Sequence, residues 1–433
     1  MERQNIVTLY LKNTTYIDWQ TLAFHSSHIA VSPGVDGGIQ LLDTLPPESE
    51  MAAGDSVFDC GHRLVTKSFV CGHHHIYSAL ARGMPPPPKI PQNFPEILEY
   101  VWWHVDKALD REMIEASALV SALYCLKNGV TCVIDHHASP FAIEGSLETI
   151  AAAFDRVGIS HLLCYEMSDR DGEGPREKGL LETADYLASG RQGHVGLHAS
   201  FTVGNELLKK AVALAQTYGT GIHVHVAEDK TDQDACLKDH GQRVVERYRD
   251  AGMLDLPKSI LVHCIHLDAA EKDLIRKSGA WVVQNVESNQ NNNVGLANCA
   301  ELGDHTMLGT DGMHSDMLRS AKAAFLAGQA IEGIDFNGIY RRFRNAHAYI
   351  RSSGFTGDSD NNLVILDYNS PTEINAANFL GHFVYGLESS HVDSVVSGGQ
   401  LVVKNKNLLT LDEDEILAYS REMGDKLWKK LCI

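Results

Sequence analysis

The chain has 433 residues, 44% of them hydrophobic and 21% charged, enough apolar material for a sizeable core and unlike a disordered or fibrous protein. A formal charge of −19 argues against a general binder of nucleic acid or anionic membrane. Its 22 histidines point instead toward metal or proton chemistry.

In chain order, Ile6 to Leu11 is β-rich, and turn clusters follow at Ser32-Pro33-Gly34 and Asp36-Gly37-Gly38. From about residue 67 the texture changes to short apolar segments alternating with helical patterns. The spacing of Met113, Ala116, Leu119, Val120 and Leu123 predicts a helix over Arg111 to Lys127. After Gly129, Val130 to Ile134 reads as a strand ending in Asp135-His136-His137. The same strand-then-helix unit recurs at 194–198, 221–226, 260–265, 280–286 and 306–310. Repeated βα units imply a parallel sheet, open or closed into a barrel. Strand texture returns at Leu363 to Leu366 and at Val392 to Val403, where Gly398-Gly399 predicts a hairpin turn. Asp412 and Glu415 have capping-box spacing before a final amphipathic helix. The two strand-rich ends are expected to pair into one small β domain. The strip from Met84-Pro85-Pro86-Pro87-Pro88 to Pro95 reads as a stiff extended loop that can also wall a pocket.

Nine cysteines scattered without a CxxC pair exclude a disulfide framework and a cysteine-rich zinc finger. Met1 to Lys12 lacks the features of a signal peptide, and no run of about 18 apolar residues is present to cross a membrane. The expected location is the cytoplasm.

The chemistry concentrates at strand ends. In Phe69-Val70-Cys71-Gly72-His73-His74-His75, alternate side chains share a face, so His73 and His75 point one way and His74 the other. Two imidazoles on one strand end can chelate a metal. Ile222-His223-Val224-His225-Val226-Ala227-Glu228 repeats the pattern and adds a carboxylate three residues on. Leu261-Val262-His263-Cys264 ends another strand with a histidine, and Met307-Leu308-Gly309-Thr310-Asp311-Gly312 ends another with an aspartate. In a parallel barrel all C-terminal strand ends open onto one face, so these groups converge there. Metal binding follows from that convergence. His74 and His223 are expected to face away from the metal.

This set of motifs resembles the amidohydrolase superfamily, and within it the branch of cytosine deaminases, S-adenosylhomocysteine deaminases and triazine hydrolases. The narrower likeness, closest to the SsnA aminohydrolase group, rests on Gly129 to Pro140, Leu197-His198-Ala199-Ser200-Phe201-Thr202, Glu287-Ser288-Asn289 and Thr310 to Met317. The resemblance covers nearly the whole chain. It implies a distorted (β/α)8 TIM barrel over residues 67–360 and a small composite β-sandwich from residues 1–66 and 361–433. It implies one divalent metal on His73, His75, His225 and Asp311, with His263 beside it. Nitrogen and oxygen ligands without thiolate suit Zn²⁺, and Fe²⁺ or Mn²⁺ also satisfy them. The dinuclear members need a carboxylated lysine at the end of barrel strand four, where this chain ends in Gly196-Leu197-His198.

The implied reaction is deamination of an amino-substituted heteroaromatic ring of purine, pyrimidine or pterin type. A bound divalent ion lowers the pKa of its water to about 7 and so supplies the attacking hydroxide at neutral pH. Asp311 takes the proton from that water, Glu228 carries protons to the ring nitrogen and the departing ammonia, and His263 stabilises the oxyanion. Hydrolysis of a ring amide or displacement of chloride from a triazine uses the same attack and is the alternative; a catalytically silent metal-binding scaffold is a third reading. His198, His136, His137 and Arg82 are candidate substrate contacts, only one of the adjacent histidines facing the centre. Residues Glu287 to Asn293 are expected to form a polar loop near the site mouth. By resemblance the chain is a homodimer acting on a small heterocycle. It departs from its relatives at Lys67-Ser68, where they carry Pro-Gly, and at the polar stretch Thr356 to Asn362, where they carry a glycine-rich turn.

Overall fold

The computed structural model describes residues 7–431, so Ile6, the start of the expected first strand, and the first half of the stretch read for a signal peptide lie outside it. Strands β1 (Leu9–Ile17), β2 (Phe24–Val31), β3 (Ile39–Leu42), β4 (Ser56–Asp59) and β5 (Leu64–Lys67) come first. Barrel strands follow as β6 (Phe69–His74), β7 (Val130–His137), β8 (Ser160–Met167), β9 (Val195–Ala199), β10 (Ile222–Val226), β11 (Ile260–His263), β12 (Trp281–Gln284) and β13 (Thr306–Leu308). The chain returns to strand structure in β14 (Leu363–Leu366), β15 (Val392–Ser397), β16 (Gln400–Lys404) and β17 (Asn407–Leu408).

The first five and last four strands form one mixed nine-stranded sheet, ordered β17-β16-β15-β14-β5-β1-β2-β3 with β4 beside β1. The two ends of the chain therefore pair, through the antiparallel register of Leu363 with Lys67 and Leu366 with Leu64. The β15–β16 hairpin turns at Gly398 and Gly399, whose φ of 56° and 80° suit a tight turn between right-twisted strands. The last helix, Glu413–Lys430, is capped by the Asp412 carboxylate as expected. Its hydrogen bonds run to the barrel side, Ser420 Oγ donating to Ala116 O and Trp428 Nε1 to Leu80 O.

Strands β6 to β13 are parallel and neighbour one another in sequence order. A bridge between His74 and Asp311 nearly closes the ring. At this seam the backbones come close. A Cβ on Gly72 would stand 2.7 Å from Leu308 O, and one on Gly309 would stand 2.9 Å from His73 O. Only glycine lets Asp311 reach the HxH strand.

Alternation along each strand sorts residues into an axial face and a face toward the helices. Cys132, Ile134, Leu162, Ile260, Val262, Val283 and Met307 fill the lower axis, closed beneath by Tyr349 and Ile350 of helix Phe336–Ser352. Further up the barrel the axial positions turn polar, at His136, Glu166, His225 and Asn285. That change of layer marks where the core ends and the site begins.

The departures at Lys67 and at Thr356 to Asn362 prove to be one feature. Lys67, 1% exposed, leaves the small sheet for the barrel, and its Nζ pairs with Asp358 Oδ1 at 2.9 Å. Asp358 also binds His347 Nδ1 at 2.6 Å, while Arg344 Nη1 caps the carbonyls of Lys67 and Ser68. A buried ion pair thus ties the junction together.

Candidate metal centre

His75 Nδ1 stands 2.7 Å from the carbonyl of His136, and His225 Nδ1 stands 2.9 Å from the carbonyl of His198. A carbonyl only accepts, so both rings carry their proton on Nδ1 and present a bare lone pair at Nε2. These two Nε2 atoms face each other at 3.1 Å. Burial pushes both rings below the ordinary histidine range, His225 to about 3, so neither lone pair is protonated at neutral pH. Two lone pairs at this distance repel unless a cation lies between them.

His73 adds a third nitrogen. Its Nε2 is fully buried and has no hydrogen-bond partner, while its Nδ1 meets His223 Nε2 at 2.9 Å. Asp311 Oδ1 lies 3.5 Å from His75 Nε2 and 3.9 Å from His73 Nε2. Burial raises the Asp311 carboxyl, but the imidazoles of His75, His263 and His225 outweigh it and hold the group at about 2. Three neutral imidazoles and one carboxylate are the donor set of a divalent metal of Zn²⁺ type.

His263 is oriented differently. Asn289 donates from Nδ2 to His263 Nδ1 at 2.7 Å, which puts the ring proton on Nε2. That nitrogen lies 3.4 Å from Glu228 Oε2 and 3.7 Å from Asp311 Oδ2. His263 is therefore a donor, in contrast to the lone-pair rings. It reaches the centre through an unusual backbone, since simple alternation would turn it outward after the axial Val262. The φ of His263 is +71°, that of Asp311 is +54° and that of Ala227 is +45°. Such left-handed conformations cost a non-glycine residue about 1–3 kcal/mol and persist where the surroundings over-determine them. They gather at this site.

Glu228 projects into the same space, its carboxyl held well above the usual range by burial and by the neighbouring Asp311. Asn292 donates to its Oε1 at 3.3 Å. The segment expected as a polar loop is in fact the helix Val286–Asn291 and its end, which supplies Ser288, Asn291 and Asn292 to the wall.

His74 faces away, bound to Ser315 Oγ at 2.9 Å. His223 does not, and the expectation for it is corrected. Residues two apart on a strand share a face, so His223 lies on the axis below His225 and supports His73. At the β7 end His136 faces the axis, whereas His137 turns outward to Ser139 Oγ at 2.9 Å. His136 sits behind the cavity wall, its Nε2 3.4 Å from Glu166 Oε2. His198 lines the cavity, with Nδ1 2.7 Å from Thr202 Oγ1. Arg82 is placed elsewhere: exposed, it packs over the Tyr124 ring and lines no part of the cavity.

The cavity has about 670 Å³ of space open toward solvent at its mouth. Phe94, Leu98, Trp102 and Trp103 form its apolar side, so the chain following the proline strip does wall the pocket, as short helical turns. Three polar residues escaped the sequence reading: Glu166, Arg170 and Asp106. Burial pushes the Glu166 carboxyl up to about 8 and that of Asp106 to about 6, the nearby Arg170 opposing both shifts. Glu166 ends β8, the one barrel strand the sequence reading passed over. Recognising Ser160–Met167 as a strand would have exposed it by the same strand-end rule.

With this geometry in hand, the comparisons with known proteins are direct. The family model described as the amidohydrolase family matches residues 64–353. The 5′-deoxyadenosine deaminase of Methanopyrus kandleri is 29% identical over 414 residues, covering 90% of this chain and 93% of that one. A 5-methylthioadenosine/S-adenosylhomocysteine deaminase of Syntrophomonas wolfei is 26% identical, covering 88% and 90%. Among solved structures, an adenosine deaminase from Xanthomonas campestris with bound zinc superimposes with a TM-score of 0.84 at 19% identity, covering 97% of this chain and 98% of that one. The atrazine chlorohydrolase of Arthrobacter aurescens complexed with zinc gives 0.80 at 16% identity, covering 96% and 100%. At these identities the two structures support the barrel-plus-sheet fold.

Proposed function

The chain belongs to the amidohydrolase family, and from that membership we propose that it is a metal-dependent aminohydrolase removing an exocyclic amino group from a heteroaromatic ring. It is a hydrolase of carbon–nitrogen bonds other than peptide bonds. The observation that carries the reading is the pair of unprotonated Nε2 atoms of His75 and His225, 3.1 Å apart beside a low-pKa Asp311 and a high-pKa Glu228. Two carboxyls pushed in opposite directions within one cavity are what acid–base assistance of a hydrolysis needs.

His73, His75, His225 and Asp311 would hold one divalent ion, and their donor set suits Zn²⁺. When bound, it lowers the pKa of a water to about 7 and supplies hydroxide at neutral pH. Asp311, an unprotonated carboxylate, accepts the proton of the attacking water. Glu228, whose acid form persists toward neutral pH, gives its proton to the ring nitrogen, takes the proton of the adduct's new hydroxyl and passes it to the leaving amine; Asp311 then returns the water's proton to Glu228, so water and aminoarene become the hydroxyarene in its keto form and ammonia. His263 donates from Nε2 to the oxyanion, in the tautomer that Asn289 fixes. His198 faces the ring edge, and Trp102, Leu98 and Phe94 cover the ring and exclude water.

No helix of the described residues is long and apolar enough to cross a membrane. The eight cysteines among those residues are buried and unpaired, as suits a reducing cytoplasm. Assembly as a homodimer completes the proposal on the ground of the resemblance.

The test is a screen of amino-substituted purines, pyrimidines and pterins, including 5′-deoxyadenosine, for ammonia release by protein loaded with Zn²⁺, Fe²⁺ or Mn²⁺. Release dependent on the metal and lost in Asp311→Asn supports the reading. Protein that holds no metal, or that releases chloride from a chlorotriazine but ammonia from no ring, refutes it.

A further inference from the structure

Glu166 is a cavity-lining carboxyl that makes no hydrogen bond among the described residues. It ends β8 in the same axial layer as His136 of β7 and His225 of β10, and it lines the cavity with its side chain 5% exposed. His136 Nε2 lies 3.4 Å from its Oε2 and is itself without a hydrogen-bond partner. Arg170, the arginine of the cavity wall, does not supply the missing bond. Its Nη2 binds Asp106 and its Nε lies 3.0 Å from Asp171 Oδ2. A cavity-lining carboxyl that no protein donor occupies is free to accept from water or from an N–H of a ligand.

Distance says which part of a ligand does so. A Glu166 oxygen, a His136 nitrogen and a His225 nitrogen lie within 4.8 Å of one another. Glu166 therefore stands beside the reacting centre, on a different wall from Glu228, which groups with His263 and Asp311. A substituent reaching it must belong to the ring itself and not to a tail. The neighbouring charges pair with one another, Arg170 with Asp106 and Asp171 and Lys107 with Asp171 at 2.8 Å. Glu166 is left over from that pairing, with its carbonyl oxygen open to an N–H donor.

We infer that Glu166 is a specificity-determining residue that accepts a hydrogen bond from an amino group on the substrate ring, with His136 holding its carboxyl in place. The inference rests on the aminohydrolase reading in one respect, that the ring is seated with a nitrogen toward Glu228. It selects amino-heterocycles over rings in which a substituent without N–H replaces the amino group.

The experiment compares adenine with 6-chloropurine, rings of the same outline differing in that donor, as calorimetric ligands of the zinc-loaded protein. Wild type should bind adenine about tenfold more tightly, the value of one hydrogen bond. Glu166→Leu should abolish the preference, and Glu166→Gln, which keeps an acceptor oxygen, should retain most of it. Metal content is measured on all three. The inference is overturned if wild type shows no preference, if the preference survives in Glu166→Leu, or if Glu166→Leu loses its metal. Binding needs no turnover, so failure to release ammonia with the ring preference intact would remove the deamination reading and leave this one standing.

Discussion

Asn289→Asp tests the logic of the centre by changing one atom's chemistry without changing shape. In the native site the Asn289 amide donates to His263 Nδ1 at 2.7 Å, so the proton lies on Nε2. A carboxylate at position 289 only accepts, and it would draw the proton to Nδ1. Nε2 would then turn a lone pair toward Glu228 Oε2 at 3.4 Å and Asp311 Oδ2 at 3.7 Å, with no donor left for the oxyanion. Loss of one preorganised donor costs about 10²–10³ in kcat, or about 3–4 kcal/mol. Asn289→Ala removes more atoms but leaves His263 free to adopt either tautomer, so it forfeits about one hydrogen bond, roughly tenfold. The isosteric variant should therefore be the worse of the two. The assay is steady-state turnover on the ring found by ammonia release, with metal content measured in parallel. If Asn289→Asp keeps wild-type kcat, or if the alanine variant is more damaged, then His263 does not act as a donor and its assignment is wrong.

Other outcomes follow from the same geometry. Glu228→Gln should lower kcat by about 10²–10⁴ without releasing the metal, read by turnover and metal analysis. Chelation should lower the melting temperature, and Zn²⁺ at about 100 times its dissociation constant should restore about 2.7 kcal/mol, a shift of roughly 3 °C for a chain of this size; His225→Ala should show no such shift. Gly309→Ala places a methyl 2.9 Å from His73 O and 2.4 Å from Asn285 Oδ1, so it should open the seam and reduce metal occupancy. At the junction, Lys67→Met leaves Asp358 with His347 alone and should cost about 3 kcal/mol in denaturant unfolding. Asp358, 2% exposed, is held near 2 by His347 and Lys67 against burial, below its ordinary value of 3.8. A depressed carboxylate stabilises above its unfolded pKa, so the advantage of wild type over Asp358→Asn should be full above pH 3.8 and vanish as pH falls toward 2.

The success and failure of the sequence reading divide along physical lines. Helix Arg111–Lys127 and strand β14 were legible to the residue because capping, periodicity and turn glycines are local. So were the strand ends carrying His73, His75, His225 and Asp311. Strand β8 was missed because Ser160, His161 and Glu166 interrupt its apolar run, and Glu166 was lost with it. His223 shares a strand face with His225 and so lies on the axis, where it meets His73 Nδ1. Arg82 is near the HxH motif in sequence alone, because the turn after β6 carries it to the surface.

By itself, then, the sequence determined the repeating strand-and-helix pattern, the donor residues and the family chemistry they imply, since each depends on spacing along a single segment. Only the tertiary structure decided which ring nitrogen carries a proton, that His263 donates while His75 and His225 offer lone pairs, and that Lys67 answers Asp358 across 291 positions of chain. Those outcomes depend on which carbonyl or amide another strand brings within 3 Å, and closure of the barrel sets that distance.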